Sequence, residues 1–320
     1  MSSMSGSGPL AGLPRRVRVV EVGPRDGLQN EQGQIATADK IAYVDLLSAA
    51  GFGIIEATSF VSPRAVPQLA DAAEVMTGIA RGMGTEYLVL TPNFKGYERA
   101  VAAGSRAVAV FTAASETFAR RNINASIAES LANFRPILEA ARRNGIWVRG
   151  YISMAFGCPF EGAIAPSAVL DVAQRLLDLG CDEISVGDTV GTATPRETEA
   201  VVGLLLRHMP AGKLAVHFHD TRGTALANVL LSLQMGLHII DSSSGGLGGC
   251  PFAPGAAGNL ATEDLLYMLH GLGIETGVDL DKVVEASRFI LGKLGKAPAS
   301  KYLQACGVNP SPGPSPRREG

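Results

Sequence analysis

From residue 17 onward the chain alternates short β-branched or apolar runs with longer stretches whose apolar residues recur three and four apart. The first spacing suits strands buried on both faces, the second suits amphipathic helices, and their alternation builds a parallel sheet covered by helices. The pattern predicts eight strands, over 17–22, 53–58, 86–90, 107–111, 147–153, 183–186, 214–218 and 239–243. Between them it predicts helices over 37–50, 67–81, 126–144, 167–179, 195–208 and 225–235. Gly51, Gly145 and Gly180 follow three of these where a left-handed cap belongs, and Pro195 stands where a first-turn proline is tolerated. Eight strand–helix repeats favour a closed barrel over an open sheet. No GxGxxG follows the first strand, which argues against a dinucleotide fold. The expected architecture is an α/β (β/α)₈ TIM barrel with additional C-terminal helices over 17–308. A glycine-rich loop over 245–258 and a helix over about 259–272 follow its last strand.

Composition narrows the function without choosing it. The 320 residues are 46% hydrophobic and 18% charged, with a net charge of -2. That balance offers no basic face for nucleic acid, and no apolar run reaches the roughly 20 residues of a membrane-spanning helix. A small-molecule enzyme is the expectation. Four cysteines, Cys158, Cys181, Cys250 and Cys306, form neither a disulfide framework nor a CxxC zinc site. The leader, 1–16, is Ser-rich and ends in two arginines, which fits a disordered start or a short transit peptide. The tail, 309–320, is dense in Pro and Ser and reads as disordered. The bacterial cytoplasm is the expected location, with the mitochondrial matrix as the eukaryotic counterpart, and a homodimer is the expected assembly.

In a barrel, residues just beyond the carboxyl ends of the strands share one mouth. The first strand runs into Gly23-Pro24-Arg25-Asp26-Gly27, a tight turn that can hold Arg25 and Asp26 over that mouth or form an ordinary surface turn. The seventh ends in His217-Phe218-His219-Asp220, whose two imidazoles fall on one side of an extended chain. The chain has five histidines, and two of them on one face of a strand end, with Asp26 opposite, point to metal ligation. A mixed nitrogen and oxygen donor set suits Mg²⁺ or Mn²⁺. Glu56 and Asp188 are further carboxylates at strand ends, suited to orienting a ligand or substrate. Asn259 can supply an amide oxygen or cap the helix that follows. Cys250, among flexible glycines, suits a group that closes over substrate.

The residues Val19-Val20-Glu21-Val22-Gly23-Pro24-Arg25-Asp26-Gly27-Leu28-Gln29-Asn30 resemble the opening of the 3-hydroxy-3-methylglutaryl-CoA lyase family. So do Glu56-Ala57-Thr58-Ser59-Phe60, Gly187-Asp188-Thr189, His217-Phe218-His219-Asp220-Thr221 and Gly246-Leu247-Gly248-Gly249-Cys250-Pro251. The resemblance runs from about residue 17 to Cys306. It implies cleavage of the CoA thioester to acetyl-CoA and acetoacetate with Mg²⁺ or Mn²⁺ bound. Matched position by position, it implies Asp26, His217, His219 and Asn259 as metal ligands. Arg25, Asp26, Glu56, Asp188, His217 and Cys250 become the catalytic group. In that scheme Asp26 or a water takes the hydroxyl proton, Arg25 steadies the thioester oxygen, and Cys250 returns a proton to the carbanion. Two alternatives share the barrel and the histidine pair: a condensing synthase of the isopropylmalate or homocitrate type, and a lyase for longer 3-hydroxy-3-alkylglutaryl-CoA thioesters.

Overall fold

The computed structural model describes residues 10, 12–31, 33–249 and 258–306. Eight parallel strands close into a barrel in sequence order. They are β1 (Arg18–Glu21), β2 (Ile54–Ser59), β3 (Glu86–Leu90), β4 (Ala107–Ala113), β5 (Trp147–Ser153), β6 (Glu183–Asp188), β7 (Leu214–Phe218) and β8 (Ile239–Ser242). β8 returns to β1 with Glu21 opposite Ser242, which closes the ring. All eight strands expected from the apolar runs are present, within a residue or two at most ends.

The helices are α1 (Thr37–Ala49), α2 (Ala72–Gly78), α3 (Phe94–Ala102), α4 (Glu116–Ile123), α5 (Ile127–Asn144), α6 (Pro166–Leu179), α7 (Pro195–Leu206), α8 (Ala225–Gln234), α9 (Thr262–Gly271), α10 (Leu280–Leu294) and α11 (Lys301–Cys306). Local chemistry sets their ends. Ser126 and Glu129 form a capping box before α5, and Gly145 ends that helix in the left-handed conformation. Pro166 opens α6 and left-handed Gly180 closes it. Two expectations need correction. The helix predicted over 67–81 is a short 3₁₀ turn, Pro67–Leu69, followed by α2, because Asp71 turns back to bind Lys40 and Thr37 of α1. The helix predicted from 259 starts at Thr262, because the backbone at Asn259 pairs as an extended segment with His219. α3 and α4 have no counterpart among the expected helices, whereas α10 and α11 are the additional C-terminal helices, for which the sequence pattern set no bounds.

The core has two compartments. A large shell lies between strands and helices and includes Tyr43, Leu47, Ile55, Val89, Val110, Ile137, Val186, Val216 and Leu265. Burying each such side chain contributes roughly 1.5–3 kcal/mol. The smaller compartment is the barrel interior: Val20, Val22, Ile54, Leu88, Leu90, Ala107, Ala109, Tyr151, Ala215 and Ile239. Below its mouth this interior is charged. Arg149, fully buried, pairs with Asp241 at 2.7 Å and with Glu183 at 2.8 Å, and Glu183 also pairs with Arg18. Buried charges survive only when paired and hydrogen-bonded, and this network supplies both.

Candidate metal centre

After β1 the chain winds into a π-helical turn, Gly23–Gly27, where the sequence predicts a tight turn. The amides of Arg25, Asp26 and Gly27 all converge on the carbonyl of Val22, at 3.2, 2.8 and 3.2 Å. π turns cluster at functional sites because they rotate side chains out of helical register. Here the turn directs Arg25 and Asp26 into the barrel mouth. A side chain at Gly23 would meet the Tyr43 hydroxyl at 2.4 Å and Glu21 Oε1 at 2.6 Å, so only glycine lets the turn fold down onto β1.

Opposite this turn, β7 delivers His217 and, one residue past its end, His219, their ring centroids 5.4 Å apart. Asp26, His217 and His219 offer one donor atom each within 4.8 Å of one another, and His217 Nε2 lies 3.7 Å from Asp26 Oδ2. Beyond β7 the chain pairs with the segment after the glycine-rich loop. Leu260 donates to the Phe218 carbonyl at 3.0 Å, and His219 bridges Asn259. That pairing seats Asn259 beside the histidines. Its Nδ2 donates to Asp26 Oδ2 at 2.9 Å and to the Leu247 carbonyl at 3.1 Å. Its Oδ1 is buried without a hydrogen-bond partner among the described residues. A buried amide oxygen without a partner is costly, and one beside two imidazoles and a carboxylate is suited to serve a cation as a further oxygen donor. The residues present therefore fit a divalent ion.

The charges around this group are cross-braced. Arg25 Nη1 donates to Asp26 Oδ1 at 2.7 Å, and Nη2 pairs with Glu56 at 2.7 Å. Glu56 is fully buried near a register shift between β2 and β3, the kind of irregularity that re-aims a side chain beside a site. The Arg25 guanidinium also sits 5.5 Å from the centre of the Tyr151 ring. Burial disfavours the Asp26 charge, but Arg25, His217, His219 and Asn259 outweigh it and hold the carboxyl well below the usual range. Burial also works against a charged His217, yet Asp241 and Asp26 raise its pKa above the ordinary imidazole value. For Glu56 burial wins over Arg25, and the carboxyl is raised.

The sequence-derived residues thus divide. Arg25, Asp26, Glu56, His217, His219 and Asn259 come together at the mouth, where Arg25, Asp26, His217 and His219 line a cavity of about 600 Å³ together with Gln29, Asn30, Ser59, Leu90, Phe111, Tyr151, Ser153 and Thr189. Asp188 stands apart. Its two oxygens accept the amides of Thr192 and Ala193, both at 2.9 Å, which fixes the loop between β6 and α7. Cys250 lies outside the described residues.

Sequence reasoning missed Arg149, Tyr151 and Asp241. The signal was available: Arg149 and Asp241 are charges inside otherwise apolar strands, with the parity that faces the barrel interior.

The HMGL-like family model matches residues 16–290. The chain is 56% identical over 293 residues to a mitochondrial hydroxymethylglutaryl-CoA lyase of Bos taurus, covering 92% of this chain and 90% of the relative. It is 57% identical to a cytoplasmic 3-hydroxy-3-methylglutaryl-CoA lyase of Danio rerio, covering 92% and 88%. Among solved structures, an HMG-CoA lyase from Acinetobacter baumannii in complex with coenzyme A and 3-methylmalate is similar at a TM-score of 0.88 and 40% identity, over 99% of this chain and 100% of that one.

Proposed function

Because the chain belongs to the hydroxymethylglutaryl-CoA lyase family, we propose that it splits 3-hydroxy-3-methylglutaryl-CoA into acetyl-CoA and acetoacetate, using a divalent metal, Mg²⁺ or Mn²⁺, held by Asp26, His217, His219 and Asn259. The observation that carries this reading is the convergence of Asp26, His217 and His219 within 4.8 Å at the mouth, braced by the buried Arg25–Glu56 pair. The Acinetobacter relative, whose structure holds coenzyme A, supports a CoA thioester as the substrate.

The chemistry that a divalent ion supplies when bound here is Lewis acidity toward the substrate's hydroxyl and carboxylate oxygens. The chain's own groups carry the rest. Asp26 is the proposed acceptor of the tertiary hydroxyl proton. As the carbon–carbon bond breaks, the hydroxyl carbon becomes the ketone of acetoacetate, and the electron pair moves onto the acetyl-CoA fragment. That charge resides largely on the thioester oxygen, where a buried guanidinium stabilises it more in the transition state than in the ground state. Arg25 is suited to this because Glu56, Asp26 and the Tyr151 ring hold it before substrate arrives. The pair is then protonated at carbon to give acetyl-CoA, with Cys250 as the proposed donor. Asp188 keeps the β6–α7 loop in place and need not touch substrate.

The purified protein is expected to release acetoacetate from 3-hydroxy-3-methylglutaryl-CoA when Mg²⁺ or Mn²⁺ is present. A chelator and His219→Ala should each abolish that release. Full activity in metal-free buffer, or in His219→Ala, would contradict the metal site.

A further inference from the structure

Beneath the metal centre, His217 rests on a carboxylate that no part of the reaction scheme uses. Asp241 of β8 is paired in register with His217 of β7 and is almost fully buried. Its Oδ1 accepts from Arg149 Nη2 at 2.7 Å. Its Oδ2 accepts from Arg149 Nη1 at 3.1 Å and from the Ser185 hydroxyl at 2.9 Å, and it lies 3.2 Å from His217 Nδ1. A carboxylate clamped on a buried guanidinium has only acceptors to offer, so the ring nitrogen that meets it must carry the hydrogen. A neutral imidazole has one N–H. With Nδ1 protonated, Nε2 keeps its lone pair, and Nε2 is the atom that faces Asp26. The Tyr151 ring meets the imidazole edge-on, with ring centroids 6.4 Å apart.

We propose that Asp241 is a positioning residue of the metal centre, which fixes His217 as the Nδ1–H tautomer and so presents the Nε2 lone pair to the ion. This rests on the reading of Asp26, His217 and His219 as ligands. Arg149 is part of the device. It keeps Asp241 anionic and immobile, and Glu183 and Tyr151 hold Arg149 in turn at 2.8 and 3.0 Å. The buried charges of the barrel interior thereby become the support of the metal site rather than a cost without return. Such carboxylate–histidine–metal arrangements orient the ring and raise its basicity as a ligand.

The first test needs no variant. Metal-free wild-type protein labelled with ¹⁵N-histidine is examined at an alkaline pH where the imidazole is neutral, with His217 assigned by its loss in His217→Gln. A protonated Nδ1 and a bare Nε2 are expected, and the reverse tautomer overturns the proposal. The second test titrates Mn²⁺, followed by its electron paramagnetic resonance, into wild type and Asp241→Asn. In the variant the amide oxygen stays on Arg149 and the amide N–H turns toward Nδ1, which penalises the required tautomer. Mn²⁺ affinity should fall about 10–100-fold with unchanged circular dichroism. Equal affinity in the two proteins overturns the role of Asp241 alone, whereas a wild type that binds no Mn²⁺ overturns the metal reading itself. Should Asp241→Asn fail to fold, the wild-type tautomer decides.

Discussion

At the scale of single residues, the site is a set of charges that hold one another still. Arg25 illustrates the point: buried at the mouth, it is braced by Asp26 on one nitrogen and Glu56 on another, so its position is set before substrate binds. Arg25, Asp26, His217 and His219 were legible in the sequence because the histidine pair is rare and its alternation places both rings on one side of a strand. Asn259 was legible only through the family resemblance. Its partners are the Leu247 carbonyl and Asp26, which are remote in sequence and brought near by backbone pairing. Asp241 and Arg149 lie within strands and not at the strand ends that mark a barrel mouth, so the sequence pattern does not single them out. The residue-scale prediction concerns Cys250. If it returns the proton to the acetyl-CoA fragment, Cys250→Ala should lower turnover by on the order of 10²–10⁴-fold, the usual worth of a general acid, with little change in Mn²⁺ affinity. Steady-state kinetics beside a Mn²⁺ titration checks this, and unchanged turnover removes the thiol from the mechanism.

At the scale of elements, the strands were more readable than the helices. A run such as Ala107–Val110 is buried on both faces and shows as continuous apolar sequence. Short helices such as α4, charged on its outer face, give too few turns for a period to emerge. The segment after β8 departs from its predicted helix through competing backbone pairing. Apolar spacing over 259–272 suggested a helix throughout, but the Phe218 carbonyl and Ser243 capture residues 260 and 262 first and hold that stretch extended. This capture has a steric condition at Gly248, whose φ is +121° and where an added Cβ would lie 2.6 Å from Asn259 Nδ2. Gly248→Ala should therefore displace Asn259. The expected outcome is a loss of Mn²⁺ affinity and of activity with only a small drop in melting temperature, because the added Cβ meets the Asn259 side chain and backbone and no apolar side chain of the core. Calorimetric titration and thermal melts would separate this from general unfolding, which would appear as a large fall in melting temperature.

At the scale of the whole molecule, the barrel closes around buried acids whose ionisation opposes the fold. Glu21 accepts the amides of Gly23 and Ser244 and the Thr262 hydroxyl, yet burial pushes its pKa up to about 8. Glu263 accepts the Gly245 amide and the Ser287 hydroxyl, and burial pushes it up to about 7. Between the ordinary carboxylate range and these values the folded protein binds more protons than the unfolded chain. Stability is therefore fullest on the acid side of that window and falls as pH rises through about 7 and about 8. His217, Glu56 and Asp188 are raised as well and act in the same direction. Melting temperature measured on metal-free protein should decline across the window. In Glu263→Gln, which keeps an acceptor for Gly245, the decline should be shallower, and parallel curves for the two proteins would refute the assignment. None of this was visible in the sequence, since burial of Glu21 and Glu263 follows only from the closure of β8 onto β1 and the packing of α9 beside it.

The central claim is the bond that breaks. Purified protein with Mn²⁺ should convert 3-hydroxy-3-methylglutaryl-CoA into acetyl-CoA and acetoacetate in equal amounts, each followed by mass spectrometry, and should do so faster than with thioesters bearing longer 3-alkyl groups. Failure to form both products, together with condensation of acetyl-CoA onto a 2-oxoacid, would contradict it.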